Sequence, residues 1–272
     1  METLIGSVVH HKRVCQFLGC CLVLVLLPCG PATAWSRAGH RVVATLATSL
    51  LTPDARTQVA DLLGPNVTLA EIATWADEVR SSRPNTGPWH YVNIPRDATE
   101  YNAVRDCARG CVVSAIEQSL RLLRDTSKDR AVREEALRWL VHFVADLHQP
   151  LHVVGEDRGG NDIRVQFLGR QTNLHRLWDG DLIDHTYPNA VALYKPVQAV
   201  LQAANGQAWA NGGPEDWALE THRVAQEAVY LFPDTRVIDD RYLEKALPVI
   251  HEQLAKAAVR LARVLNQALG QT

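Results

Sequence analysis

Apolar residues recur at helical spacing along most of the chain after residue 34. The clearest predicted helices cover residues 40–51, 68–80, 111–125, 130–148, 188–204 and 241–269. Thr68 and Glu71 have the spacing of a capping box at the start of the second of these helices. The pattern predicts an all-α fold, a single mainly helical domain.

One segment departs from the helical pattern. Between His152 and His175 the chain contains Gly159-Gly160-Asn161, then alternating residues over 163–167, and then Gly169. Alternation bounded by glycines is typical of two short strands joined by a turn. We therefore expect a short β-hairpin inserted in the helical domain.

The N-terminus has the three parts of a secretory signal. The basic residues Lys12 and Arg13 precede an apolar run over 17–27 and the small-residue sequence Ala32-Thr33-Ala34. The run is too short to cross a bilayer, although a retained anchor is the alternative interpretation. We expect residues 1–34 to be removed before Trp35, which leaves a domain over 35–272 in a secreted or periplasmic protein without stable membrane association.

Removal of the signal changes the charge. The 238 remaining residues carry 26 basic and 29 acidic side chains, a formal net charge of −3. Such a balance argues against a protein that grips duplex nucleic acid by charge alone, which requires a basic surface.

Removal of the signal also changes the cysteine count. Four of the six cysteines lie within residues 1–34, and only Cys107 and Cys111 remain. In an exported protein this pair favours a small-loop disulfide over a metal site.

The candidate chemistry lies in HFVADLHQPLH, residues 142–152, and NLHRLWD, residues 173–179. On a helix His142 and Asp146 differ by about 40° in direction, so both project from one face, and His175 and Asp179 repeat this spacing. Pro150 disfavours further helix, so the chain turns back at His152. Imidazole and carboxylate are the ligands of zinc-type cations, and the two motifs therefore predict a metal centre.

Other potential ligands lie nearer the N-terminus. If Trp35 becomes the first residue, its α-amino group and carbonyl oxygen can chelate a metal, and His40 follows five residues later. Asp77 lies in WADEVR and His90 in WHYVN, and both offer suitable donor atoms.

In type, order and spacing, these residues resemble the nine-residue ligand set of the S1/P1 nuclease family, zinc-dependent enzymes that cut single-stranded nucleic acid and remove 3'-phosphates from nucleotides. The resemblance extends from Trp35 to at least Asp184 and implies the helical fold of the zinc phospholipase C and P1 nuclease type, in a secreted protein of bacterial character. It implies three zinc ions. The ligands would be Asp77, His90, His142 and Asp146 for the first ion, His152, His175 and Asp179 for the second, and Trp35, His40 and Asp146 for the third.

The resemblance also implies roles around the metals. Asp77 would orient the attacking water as well as bind zinc, and Arg80 would stabilise charge on the phosphoryl oxygens. Tyr91 occupies the position of an aromatic residue that stacks on a base. Asn93 stands where well-studied members have an aspartate that hydrogen-bonds the base, so the base preference is expected to differ. The implied substrates are single-stranded DNA, RNA and nucleotides, cut to 5'-nucleotides by a monomer without a protein partner.

Two alternatives are a rival enzyme and a protein of another functional class. Bacterial zinc-dependent phospholipase C shares the fold, but it separates its N-terminal Trp further from the next histidine and ends its last ligand pair with Glu, whereas this chain has Trp35-x4-His40 and Asp179. A zinc-scavenging protein would have no use for Arg80. The remaining histidines are expected to be packed or surface residues: His148, His185, His222 and His251.

Overall fold

The computed structural model describes residues 35–204 and 206–270, so the predicted signal segment lies outside the described residues. The helices are α1 (Arg37–Ser49), α2 (Pro53–Leu63), α3 (Leu69–Ile72), α4 (Trp75–Val79), α5 (Ala103–Asp106), α6 (Val112–Arg124), α7 (Arg130–Asp146), α8 (Asp157–Gly160), α9 (Leu174–Arg176), α10 (Leu182–Thr186), α11 (Ala190–Ala203), α12 (Gly206–Trp209), α13 (Pro214–Val224) and α14 (Asp240–Leu269). Two 3-10 helices cover Pro84–His90 and Pro150–Val153, and π-helical turns cover Leu177–Asp181 and Ala225–Val229. The strands are β1 (Arg164–Phe167), β2 (Arg170–Asn173) and β3 (Val237–Ile238).

The all-α prediction is confirmed, and five of the six long predicted helices end within three residues of their predicted bounds. The helix expected over 68–80 is wrong as a single element, because α3 and α4 are separate. The carbonyl of Ala73 accepts a hydrogen bond from Nδ1 of His142 at 2.8 Å, which takes this carbonyl out of the helical pattern. The capping box of Thr68 and Glu71 is present at the start of α3. The helices α2 and α13 were not predicted.

The predicted hairpin is confirmed and forms part of a slightly larger sheet. Strands β1 and β2 pair antiparallel from Arg164 opposite Asn173 to Phe167 opposite Arg170. The short strand β3 joins the free edge of β1 in parallel, with Gln166 opposite Val237. This pairing reaches across about 70 residues of chain and has no local signal in the sequence.

The helix that carries the first motif lies at the centre of the packing. From Leu140 to Asp146 every residue of α7 is buried, because α6, α14, α1 and α4 all pack against this helix. The polar side chains of His142 and Asp146 are therefore inside the hydrophobic core. Such groups require partners that compensate for the loss of water.

Other predicted features are readily located. Cys107 and Cys111 are joined by a disulfide just before α6. Among the described residues, no helix combines the length and the apolar character that a membrane span needs.

The side chain of Trp35 is fixed inside the fold at the start of α1. Trp35 is only 1% exposed. The backbone N–H of the next residue, Ser36, donates to the carbonyl of Asp179 at 2.5 Å. A β-carbon built on Gly39 would lie 2.9 Å from Cβ of Trp35 and 3.5 Å from Cδ2 of Leu254. The lack of a side chain at Gly39 thus leaves room for Cβ of Trp35.

This contact predicts that Gly39→Ala destabilises the protein. Helix propensity alone would raise the free energy of unfolding by about 1 kcal/mol. Because neither Cβ atom can rotate away, we instead expect a net fall of about 1–3 kcal/mol, the usual cost of overpacking. Denaturant unfolding measures the change. The control is Gly206→Ala in α12, where the new β-carbon meets only Val259 at 3.9 Å. A Gly39→Ala variant as stable as the parent would contradict this explanation.

Candidate metal centre

Three groups of imidazole and carboxylate side chains lie close together in the core. In each group the potential ligand atoms all lie within 4.8 Å of one another. The groups are His40, His142 and Asp146; Asp77, His90 and His142; and His152, His175 and Asp179. Eight of the nine residues singled out in the sequence are thus brought together in three groups, and the ninth, Trp35, contributes main-chain atoms in the interpretation above.

The two i,i+4 pairs are positioned by local helical geometry. Nε2 of His142 lies 3.2 Å from Oδ2 of Asp146 on α7. Nε2 of His175, from α9, lies 3.3 Å from Oδ2 of Asp179 in the π-helical turn that follows. His152, in the 3-10 helix after Pro150, places its Nε2 3.6 Å from Oδ1 of Asp179. The turn after α7 therefore delivers His152 to the second pair.

Asp146 connects two of the groups through its two oxygens. Oδ2 lies 2.9 Å from Nδ1 of His90 and 3.2 Å from Nε2 of His142. Oδ1 faces the other way and lies 3.5 Å from Nε2 of His40, which comes from α1. The carboxylate of Asp146 is therefore able to serve two cations at once.

Backbone carbonyls orient three of the imidazoles. Nδ1 of His142 donates to Ala73 at 2.8 Å, Nδ1 of His152 to the carbonyl of His90 at 2.8 Å, and Nδ1 of His175 to Gly159 at 2.7 Å. A proton fixed on Nδ1 leaves Nε2 as the nitrogen available to a metal, the arrangement that supports metal binding by histidine.

The centre fits a cation because several buried atoms have no other partner. Among the described residues, the side-chain atoms without a hydrogen-bond partner include Nδ1 and Nε2 of His40, Oδ1 of Asp77, Oδ1 of Asp146 and Nε2 of His152. Unpaired polar atoms inside a core are costly. Nitrogen and carboxylate oxygen donors at this density match the preferences of zinc, and the family resemblance leads to the same metal.

The metal-free centre has strongly shifted pKa values. Burial alone would lower the pKa of His142, but the carboxylates of Asp146 and Asp77 raise it to about 9. Burial opposes ionisation of Asp146, yet His142 and His90 hold the pKa of this carboxyl well below its usual range. His40 has a pKa well below its usual value because it is buried and lies near His142.

Asp77 belongs to the group with His90 and His142, and the guanidinium of Arg80 is near it. Oδ1 of Asp77 lies 3.7 Å from Nε2 of His142 and 3.8 Å from Nδ1 of His90. Burial raises the pKa of Asp77, and the nearby imidazoles and the Arg80 guanidinium oppose this rise. The charge of Arg80 also adds to the burial that lowers the pKa of His175, so the guanidinium acts on two of the three groups.

The proposed base-binding residues directly follow a metal-centre residue. Tyr91 is half-buried and Asn93 is exposed, in an extended segment that begins after His90. The N–H of Val92 between them donates to the carbonyl of His152 at 2.8 Å. This hydrogen bond therefore links the segment to His152, a residue of the metal centre.

Two residues support the metal centre in roles that were not predicted from the sequence. Nε2 of Gln149 donates to Oδ1 of Asp179 at 2.5 Å, while Oε1 accepts from the N–H of Leu151, so Gln149 orients the carboxylate of the other motif. Gly159 has φ +63°, and a β-carbon there would lie 2.5 Å from the carbonyl oxygen of Leu151. Its conformation aims its own carbonyl at His175. The only sequence signal was their place inside or beside the motifs.

Aromatic residues pack around the centre. Trp139 stacks on Phe143 at 5.2 Å and meets Trp75 and Trp89 edge-on, which forms an aromatic wall behind His90. His148 is buried away from the three groups; its Nδ1 donates to the Val144 carbonyl and its Nε2 accepts from Arg260. His185, His222 and His251 also lie outside the three groups.

Comparison with known proteins gives a consistent family. The family model described as S1/P1 Nuclease matches residues 35–270. Endonuclease 4 of Arabidopsis thaliana is 33% identical over 93% of this chain and 94% of its own length. Nuclease S1 of Aspergillus oryzae is 28% identical over 89% and 96% of the two chains, and Nuclease P1 of Penicillium citrinum is 29% identical over 87% and 98%.

The raised pKa of His142 predicts that zinc uptake releases protons. Because this pKa is about 9 in the metal-free centre, His142 is an imidazolium near neutral pH and has to lose the proton on Nε2 before that nitrogen binds a metal. We expect at least one proton released per molecule, falling as the pH rises through about 9. Calorimetric zinc titrations in buffers of different ionisation enthalpy measure the release. Zinc binding near neutral pH without proton release would contradict the prediction.

Proposed function

The chain belongs to the S1/P1 nuclease family, and from this premise we propose that it is an exported zinc-dependent nuclease. Its reaction is hydrolysis of phosphodiester bonds in single-stranded DNA and RNA to 5'-nucleotides, with removal of 3'-phosphates from nucleotides as a second activity. The observation that carries the proposal is the placement of Asp146, whose two oxygens face His40 on one side and His90 and His142 on the other. A shared carboxylate of this kind suits adjacent metal ions that act on one phosphate.

The ligands proposed for three zinc ions follow the three groups. Asp77, His90, His142 and Asp146 would hold one ion, and His152, His175 and Asp179 the second. The α-amino group and carbonyl oxygen of Trp35 would join His40 and Asp146 at the third. When bound, the ions supply Lewis acidity to the phosphate and lower the pKa of water to near neutrality.

The chain's own residues would perform the remaining tasks. Asp77 accepts a hydrogen bond from the attacking water and fixes its line of approach, a role supported by its partial exposure beside His90 and His142. Arg80 donates hydrogen bonds to the phosphoryl oxygens, whose negative charge grows in the transition state. Tyr91 stacks on a base and Asn93 hydrogen-bonds its edge. Stacking tolerates any base, which suits a nuclease of broad sequence range.

Cleavage of single-stranded DNA by the naturally processed protein tests this function. We expect cleavage to 5'-phosphorylated products, loss of activity after chelation, and recovery when zinc is restored. The same sequence annealed to its complement is the matched control and should be cut far more slowly. Zinc-loaded protein that cuts no nucleic acid would overturn the proposal. Turnover of a phospholipid by that same protein would favour the phospholipase interpretation instead.

The proposed third ion depends on a free N-terminus at Trp35. A protein that retains Ala34 has an amide nitrogen in place of the α-amine, and an amide is a far poorer metal donor. We predict that it binds one zinc fewer than the processed protein and has much lower activity. Metal analysis after dialysis measures the stoichiometry, and a variant with one extra alanine after Thr272 serves as the control. Equal zinc content in all three proteins would remove Trp35 from the ligand set.

A further inference from the structure

The segment that follows His90 has one buried and one open face. Val92 and Ile94 are 1% and 0% exposed, whereas Tyr91 is half-buried and Asn93 exposed, as expected for an extended chain with alternating side chains. Ile94 forms a parallel β-bridge with Val154, which lies two residues after the proposed ligand His152. The segment thus leads away from the metal centre with the proposed base-binding residues on its open face.

Arg96 lies at the turn where this segment ends, about 10 Å of extended chain beyond Asn93. Its N–H donates to both carboxylate oxygens of Glu156 at 2.9 and 2.8 Å. Its carbonyl accepts a hydrogen bond from Nε2 of Gln226. The main chain of Arg96 is therefore held on both sides.

The side chain of Arg96 is both exposed and supported. Its guanidinium lies 4.4 Å from the centre of the Tyr230 ring, the shortest cation–π distance among the described residues. No carboxylate among the described residues pairs with this guanidinium, whereas Arg83 and Arg105 are paired to Glu135 and Asp106. Glu156 already accepts from the backbone N–H of Arg96. The result is an open, oriented guanidinium.

We propose that Arg96, stacked on Tyr230, binds a backbone phosphate of the single strand beyond the phosphate that is cleaved. The inference rests on the proposed function and adds a second contact to it. A guanidinium presents a planar set of N–H donors that matches phosphate oxygens, and stacking on an aromatic ring fixes its plane. A chain with a net charge of −3 without its signal has no general attraction for a polyanion, so local cations of this kind have to supply it.

The test compares Arg96→Gln with the parent on two substrates, a single-stranded oligonucleotide and a 3'-mononucleotide. For the oligonucleotide we expect KM to rise about tenfold, the value of one charge-assisted hydrogen bond, with kcat unchanged. The slope of log KM against log salt should also fall by about 0.7, as for one lost phosphate contact on a single strand. The 3'-mononucleotide carries a single phosphate, so its kinetics should not change.

Arg109→Gln is the matched control, because Arg109 is exposed and the substitution removes the same charge from another part of the chain. It should leave both KM and the salt slope at parental values, while Arg96→Lys should restore the slope and part of the affinity. An unchanged oligonucleotide KM and slope in Arg96→Gln would overturn the proposal, as would an equal loss on the mononucleotide. Failure of the parent to cut any oligonucleotide is a different result, since it overturns the proposed function itself.

Discussion

The buried carboxylate of Asp146 is the constraint on which the rest of the structure depends. It is fully enclosed on α7; its Oδ2 lies beside His142 from the same helix and His90 from the Pro84–His90 helix, and its Oδ1 faces His40 from α1. A buried charge of this kind is tolerated only when partners surround it. The need to bring α1 and the Pro84–His90 helix to the same point fixes how the N-terminal half packs on α7.

The packing around the centre serves orientation as well as burial. Carbonyls of Ala73, His90 and Gly159 accept the Nδ1 protons of three imidazoles, so breaks in regular secondary structure are what aim the rings. The interruption between α3 and α4 and the left-handed turn at Gly159 both have this function. Local departures from ideal geometry are thus compensated by the hydrogen bonds that they make possible.

The sequence predicted the local part of this arrangement. The pairs His142–Asp146 and His175–Asp179 follow from helical spacing, and the long helices follow from apolar periodicity. The division of residues 68–80 could not be foreseen, because it depends on a carbonyl that bonds to a histidine 69 residues away. The hydrogen bond from Gln149 to Asp179 spans 30 residues and the pairing of β3 with β1 about 70, so neither has a local signal. The grouping of Asp77 and His90 with α7 came from the family resemblance and not from any local pattern.

Chemically, the centre combines buried imidazole and carboxylate side chains with the half-buried Asp77 and the nearby guanidinium of Arg80. We propose that Asp146 bridges two zinc ions in a centre of three. Anomalous diffraction at the zinc absorption edge, from crystals of the processed protein grown with zinc, tests it most directly. We predict three peaks, two of them next to different oxygens of Asp146. A single peak at Asp146, or a carboxylate that contacts no metal, would contradict the claim.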